Sequence, residues 1–158
     1  MSIEATKRFF RQHGMEDRIL EFDTSSATVE LAAQAAGVIP ARIAKTLSFK
    51  LKDGRGFLIV AAGDARVDNV KYKNFFGVKA TMLTAEEVLE LTGHAVGGVC
   101  PFGINADIPV YPDVSLQRFN TVLPACGSGN SCIELDMDEL FRFSNALEWI
   151  DVCKDWQE

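Results

Sequence analysis

Apolar residues at helical spacing in Ile3–His13, with Ile3, Phe9 and Phe10 set among Lys7, Arg8, Arg11 and Gln12, predict an amphipathic helix that stops at Gly14. Arg18–Phe22 reads as a short strand. Ser25, Ser26 and Thr28 are candidate caps for an alanine-rich helix through Ala36, Gly37 is its left-handed stop, and Pro40 can open a short helical turn. Two β-prone runs, Ala44–Leu51 and Phe57–Ala62, flank Asp53-Gly54-Arg55-Gly56, whose glycines suit a tight hairpin turn. Val67–Phe76 reads as a helix ending at Gly77, and Thr84-Ala85-Glu86-Glu87 has capping-box spacing ahead of Val88, Leu89 and Leu91. Short apolar runs at Val96–Cys100, Ile108–Tyr111, Thr121–Ala125 and Ser131–Leu135 are expected strands in a Gly- and Pro-rich stretch. Asp136 through Glu139 begins a last helix, and Trp149–Val152 is an expected final strand.

Helices and strands mix without strict βαβ alternation, which predicts an α+β fold with a mixed, largely antiparallel sheet. No repeat or linker interrupts the pattern, so 1–158 is expected to form one domain. At 158 residues with 47% apolar content, packing alone is enough to stabilise such a domain. No apolar run approaches the ~18 residues of a membrane span, and the first residues lack a secretory apolar region, so a cytoplasmic location is expected. The net charge of −6 is unevenly distributed. Segment 42–79 holds nine bases (Arg42, Lys45, Lys50, Lys52, Arg55, Arg66, Lys71, Lys73, Lys79) against Asp53, Asp64 and Asp68, whereas from Asp113 onward there are nine acids and three bases. That bipolarity excludes a uniformly basic nucleic-acid binder but leaves a local basic face able to attract phosphate.

Several chemistries lack their residues. There is no phosphate-binding P-loop, no dinucleotide fingerprint, no nucleophile elbow and no H-E-x-x-H helix. Cys100, Cys126, Cys132 and Cys153 form no C-x-x-C pair, and with only His13 and His94 as further soft ligands no metal site or other cofactor is expected. Cys100 and Cys126, in Gly- and Pro-rich loops, are candidate nucleophiles, with His94 six residues before Cys100. Both read more naturally as packed thiols, and His94 as a cation capping a helix C-terminus. Two other features stand out: Lys45 inside the apolar run Ile43-Ala44-Lys45-Thr46-Leu47, and the loop Gly97-Gly98-Val99-Cys100-Pro101-Phe102-Gly103. A lysine fixed on a strand is a directed point charge, and a glycine-rich loop lets backbone N–H groups polarise a carbonyl, so the pair suits an anionic or ester-bearing ligand.

At these residues the chain resembles the YbaK/EbsC family, free-standing relatives of the editing domain inserted in bacterial prolyl-tRNA synthetases. Three motifs carry the resemblance, in order and across nearly the whole length. They are Ala35-Ala36-Gly37-Val38 followed by Lys45-Thr46-Leu47, then Gly97 through Pro101, and then Ala125-Cys126-Gly127-Ser128-Gly129-Asn130 followed by Ile133-Glu134-Leu135 and Glu139-Leu140. The resemblance implies a sheet curled into a partly open barrel with flanking helices. It also implies a deacylase acting in trans on the ester of a mischarged tRNA, typically tRNA(Pro) bearing a small wrong amino acid such as alanine or cysteine. Lys45 and Gly97 would then be the catalytic positions, with Gly98, Pro101 and Asn130 binding substrate. The implied partners are the tRNA acceptor end and a prolyl-tRNA synthetase, and segment 42–79 becomes an approach surface for RNA. Phe22 and Cys132 replace a tyrosine and an acid found in cysteine-clearing members, while Thr24-Ser25-Ser26-Ala27-Thr28 is closer to branches that clear small side chains. Two alternatives stay open: a non-catalytic module that binds an amino acid or aminoacyl-tRNA, and a cysteine hydrolase using Cys100 or Cys126.

Overall fold

The computed structural model describes residues 2–104 and 107–156. Met1, Asn105, Ala106, Gln157 and Glu158, which belong to the expected 1–158 domain, lie outside the described residues.

Local chemistry sets most element boundaries. Helix α1 (Ser2–Arg11) is followed by strand β1 (Ile19–Glu21). Helix α2 (Val29–Ala36) starts where the Thr28 hydroxyl accepts the Leu31 amide and ends at Gly37, at φ 72°. A 3-10 turn at Pro40–Arg42 leads into β2 (Ile43–Lys50), which returns through Gly54 (φ 88°) as β3 (Gly56–Ala62). Val67, expected to open a helix, instead forms β4 with Arg66, because the Asp68 carboxylate caps α3 (Asn69–Phe76) by accepting the Val70 and Lys71 amides. Helix α4 (Ala85–Thr92) carries the reciprocal Thr84/Glu87 capping box that the sequence announces. There follow β5 (Val110–Pro112), β6 (Thr121–Pro124), β7 (Ser131–Ile133) and β8 (Leu135–Asp136), then α5 (Met137–Phe143), capped by Asp136 and Glu139, and β9 (Cys153–Lys154).

The main sheet has five strands in the order β5-β3-β2-β6-β8 and curls into a half-barrel flanked by helices. It is mixed: β2·β3 and β6·β8 are antiparallel, whereas β2·β6 and β3·β5 are parallel. β1 pairs with β7 and β4 with β9 in two short ribbons. The α+β expectation therefore holds, with three corrections among the strands. Val96–Cys100 is a loop, since Gly97 takes φ 100° and the Gly98 amide turns back onto the Ala95 carbonyl. Ser131–Leu135 divides into β7 and β8. Trp149–Val152 makes only an isolated bridge through Ile150, because the Val152 amide is taken by the Asp113 carboxylate rather than by a ladder.

β3 is buried from Phe57 to Ala62, which explains why it reads as one continuous apolar run rather than an alternating one. Around it gather Phe10, Phe102, Leu116, Val122, Ile133 and Leu140. A smaller cluster of Ala32, Ala33, Ile43, Leu123 and Cys132 fills the space between α2 and the sheet. Because Ile59 is fully enclosed, Ile59→Ala should cost about 2–5 kcal/mol in urea unfolding through lost contacts and an unfilled cavity. A loss below about 1 kcal/mol would mean that β3 is not the centre of the core.

Candidate active site

A cleft of about 300 Å³ opens where the N-terminal half of β2, the loop before α2 and the loop after α4 meet. Lys45 and Gly97, far apart in sequence, both line it. Lys45 is registered opposite Ala61 on the β2–β3 hairpin, and its ammonium donates to the Gly63 carbonyl at 3.3 Å and to the Ala65 carbonyl. An ammonium has three hydrogens, so one remains to serve a ligand. Burial pulls the Lys45 pKa down from the ordinary lysine value by disfavouring the charged form. The two carbonyls fix where that charge sits. Their position depends on Gly63, where an added Cβ would lie 2.1 Å from the Pro40 carbonyl oxygen.

The facing wall is built from small residues. Gly97, at φ 100°, turns so that a Cβ there would meet Ala27 Cβ at 3.3 Å. The Ser26 amide donates to the Gly129 carbonyl at 2.7 Å, and the Phe22 amide to the Asn130 carbonyl at 2.8 Å, so the segments around 26, 97 and 129 are drawn together. Gly98 lies so close to Ser128 that a Cβ would fall 2.7 Å from its N, Cα and C atoms. Among the described residues, the Gly97 and Val99 amides, both at the cleft, find no acceptor, whereas the Gly98 amide is used by Ala95. Oxyanion-type donation is thus open to Gly97 and Val99 and closed to Gly98.

The remaining expected positions fall elsewhere. Pro101 is buried and borders a separate hollow with Phe9, His13 and Phe143. Asn130 is exposed, and its side-chain amide donates to the Phe22 carbonyl at 3.0 Å, tying down the loop before α2. His94 is not a capping cation: it is fully buried, its Nε2 lies 2.8 Å from the Phe102 carbonyl, and burial lowers its pKa towards the neutral ring. Cys100 Sγ does lie 3.6 Å from His94 Nε2. The thiol is nevertheless sealed from solvent and its pKa is pushed up to about 12, while the buried Cys126 is raised well above its usual value. Neither therefore has the exposed thiolate that nucleophilic catalysis requires.

Sequence reasoning missed two hydroxyls. Ser26 Oγ and Thr46 Oγ1 are buried without a hydrogen-bond partner among the described residues, and both residues line the cleft. Leaving such a group unpaired costs about 1–3 kcal/mol, a cost that a polar ligand would relieve. In the sequence Thr46 is marked by its place beside Lys45 in an apolar strand and in the Lys45-Thr46-Leu47 motif, and Ser26 only as a cap candidate. Small apolar groups in the lining include Val29, Ala32, Ile43, Leu123 and Cys132. Burial raises the Cys132 thiol to about 12, so it enters the cleft as a neutral group.

A curled half-barrel whose cleft joins a strand lysine to a glycine loop defines an editing-domain architecture. The chain belongs to the aminoacyl-tRNA editing domain family, whose model matches residues 23–143. It is 57% identical over 157 residues to the uncharacterized protein YwhH of Bacillus subtilis, covering 99% of this chain and 100% of that protein. Proline–tRNA ligase of Bacillus licheniformis is 34% identical over 94 residues, which is 59% of this chain and 16% of the ligase. A crystal structure described as a candidate trans-editing enzyme for prolyl tRNA synthetase superposes with a TM-score of 0.86 over 97% of both chains at 30% identity.

The glycine wall yields a paired test. Gly98→Ala drives a Cβ into the Ser128 backbone and should cost about 1–3 kcal/mol, whereas Gly129→Ala, whose Cβ would lie 3.6 Å from Ala27, should cost less. Equal urea midpoints for wild type and Gly98→Ala would show that the loop is not held against Ser128.

Proposed function

We propose that the protein is a trans-acting aminoacyl-tRNA deacylase of the cytoplasm, hydrolysing the ester of tRNA(Pro) charged with a small wrong amino acid. The observation that carries this reading is the convergence of Lys45 and the unpartnered Gly97 and Val99 amides on one cleft. Lys45 and Gly97 are the catalytic positions. The remaining ammonium hydrogen of Lys45 anchors a phosphate or ribose oxygen of the terminal adenosine. Gly97 and Val99 donate to the acyl oxygen as it gains charge.

Water attacks the acyl carbon, the tetrahedral oxyanion forms against the two amides, and the bond to the ribose oxygen breaks. The released oxygen takes up a proton and becomes a hydroxyl, and the amino acid leaves as its carboxylate. No side chain at the cleft is an evident base, so the substrate's own 2′-hydroxyl, or a water held by it, relays the proton. An aminoacyl ester is activated enough for positioning and charge stabilisation to suffice.

Ser26 and Thr46 hydroxyls receive polar groups of the bound aminoacyl adenosine, while Ala32, Ile43, Leu123 and Cys132 bound the side-chain end. Gly98 and Asn130 act by holding the wall in place, and Pro101 acts from outside the cleft. The similarity to proline–tRNA ligases and to a candidate trans-editing structure supports tRNA(Pro) as substrate and a prolyl-tRNA synthetase as partner. The binding-module alternative uses the same cleft but would protect the ester rather than release it.

The test is turnover on tRNA(Pro) charged separately with alanine, cysteine, serine, threonine, 2-aminobutyrate and proline. Multiple turnovers are expected with at least one small wrong amino acid and none with proline. Lys45→Ala should lower kcat/KM on the order of 10²-fold or more, the scale of losing one preorganised donor. Stoichiometric protection without release, or an unimpaired Lys45→Ala, would overturn the assignment.

A further inference from the structure

Of the nine bases in segment 42–79, most are already engaged in the fold. Arg42 pairs with Glu134, Lys50 with Glu87, Arg55 with Asp53, Arg66 with Asp155 and Lys71 with Asp151, while Lys45 is held by two carbonyls. The three left over, Lys52, Lys73 and Lys79, are exposed and have no ion pair among the described residues. They come from the end of the hairpin, the last turn of α3 and the segment after Gly77, yet all three line one hollow of about 470 Å³ together with Lys50. Among the described residues no acid lines this hollow, and Lys50 is paired with Glu87, so the three remaining lysines leave an uncompensated positive charge.

The hollow and the cleft are neighbours along β2. Lys50 and Thr81 line the hollow and Ser48, Met82 and Leu83 line the cleft, and the two groups are stitched together. The Lys50 amide donates to the Thr81 carbonyl at 2.9 Å, Phe49 bridges Met82, and the Leu83 amide donates to Ser48. Lys50 is five positions along β2 from Lys45, about 17 Å at strand rise. That span equals on the order of five stacked nucleotide steps.

We infer that Lys52, Lys73 and Lys79 form a second anchoring site for the RNA phosphate backbone, gripping the chain several nucleotides inward from the ester held at Lys45. The inference rests on the deacylase reading for its ligand. Lysines suit the task because they act as point charges on flexible stems and require no particular base. The site would select for substrates longer than the terminal nucleotides, raising affinity for whole tRNA without touching the reacting bond.

The experiment compares wild type with a Lys52→Glu/Lys73→Glu/Lys79→Glu triple variant, and with the milder triple glutamine variant, on two substrates: full-length aminoacyl-tRNA(Pro) and an aminoacylated CCA trinucleotide. Thermal melting verifies that both variants fold. The expected result on full-length substrate is a KM at least tenfold higher with kcat preserved. The log–log salt slope of tRNA binding should also be shallower by about two to three, as when two to three phosphate contacts are lost. Discrimination between the two substrates should shrink accordingly. An unchanged KM and salt slope on tRNA would overturn the inference, as would an equal KM rise on the trinucleotide. An acidic protein docking at the lysines instead would give the first of these. Failure of the deacylase reading is distinguishable, since it appears as no amino-acid release from either substrate by wild type, while anisotropy with uncharged tRNA still reads the lysines.

Discussion

The site depends on one half-buried cation held by backbone. Desolvating an ammonium is costly unless hydrogen bonds compensate, and Lys45 is compensated by the Gly63 and Ala65 carbonyls rather than by a carboxylate. A carboxylate partner would neutralise the charge and compete with any anionic ligand, whereas two carbonyls orient it and leave it positive. The geometry of this contact explains the strict packing beneath it, where the chain after β3 passes so close to Pro40 that only a glycine fits at position 63.

The opposite wall solves a complementary problem. Backbone amides can act as fixed donors only if the loop carrying them cannot relax onto other acceptors. Here Gly98 packs on Ser128, Ala27 packs under Gly97, and the Asn130 side chain ties down the chain at Phe22. The small residues of this wall thus serve proximity: they let three loops meet closely, with the Gly97 and Val99 amides left without an acceptor among the described residues. With Ala32, Ile43, Leu123 and Cys132 in its lining, the cleft combines one charged group, unpaired hydroxyls and small apolar side chains. One methylene in such a pocket is worth only ~1–3 kcal/mol, so on the proposed function discrimination among small amino acids would rest on fine differences in this lining.

Much of the fold was legible because its signals are local. Thr84 and Glu87 announce α4, Gly37 and Gly77 end α2 and α3, and the glycines around Arg55 mark the hairpin. Gly56 has a different role from the one expected: it sits in β3, where a Cβ would collide with Leu91. Errors arose where partners are distant. Val96–Cys100 has the composition of a strand but no neighbour to pair with, and Trp149–Val152 donates to the Asp113 carboxylate and, from Ile150, to the Pro112 carbonyl without building a ladder. In the site, Lys45 and Gly97 stand out in the sequence as a lysine in an apolar strand and one of two adjacent glycines, and both line one cleft. Pro101 and Asn130 lie away from its lining, since motif membership does not say which side of a loop faces the cleft. Ser26 and Thr46 escaped notice since their significance, buried hydroxyls without partners, exists only in three dimensions.

The most direct test of the central claim is a crystal structure with a non-hydrolysable 3′-aminoacylamino-adenosine analogue. The account requires the acyl oxygen within about 3 Å of the Gly97 and Val99 amide nitrogens, with the Lys45 ammonium on a phosphate or ribose oxygen of the same molecule. An analogue seated with its acyl oxygen turned away from that loop, or bound without contact to Lys45, would contradict it.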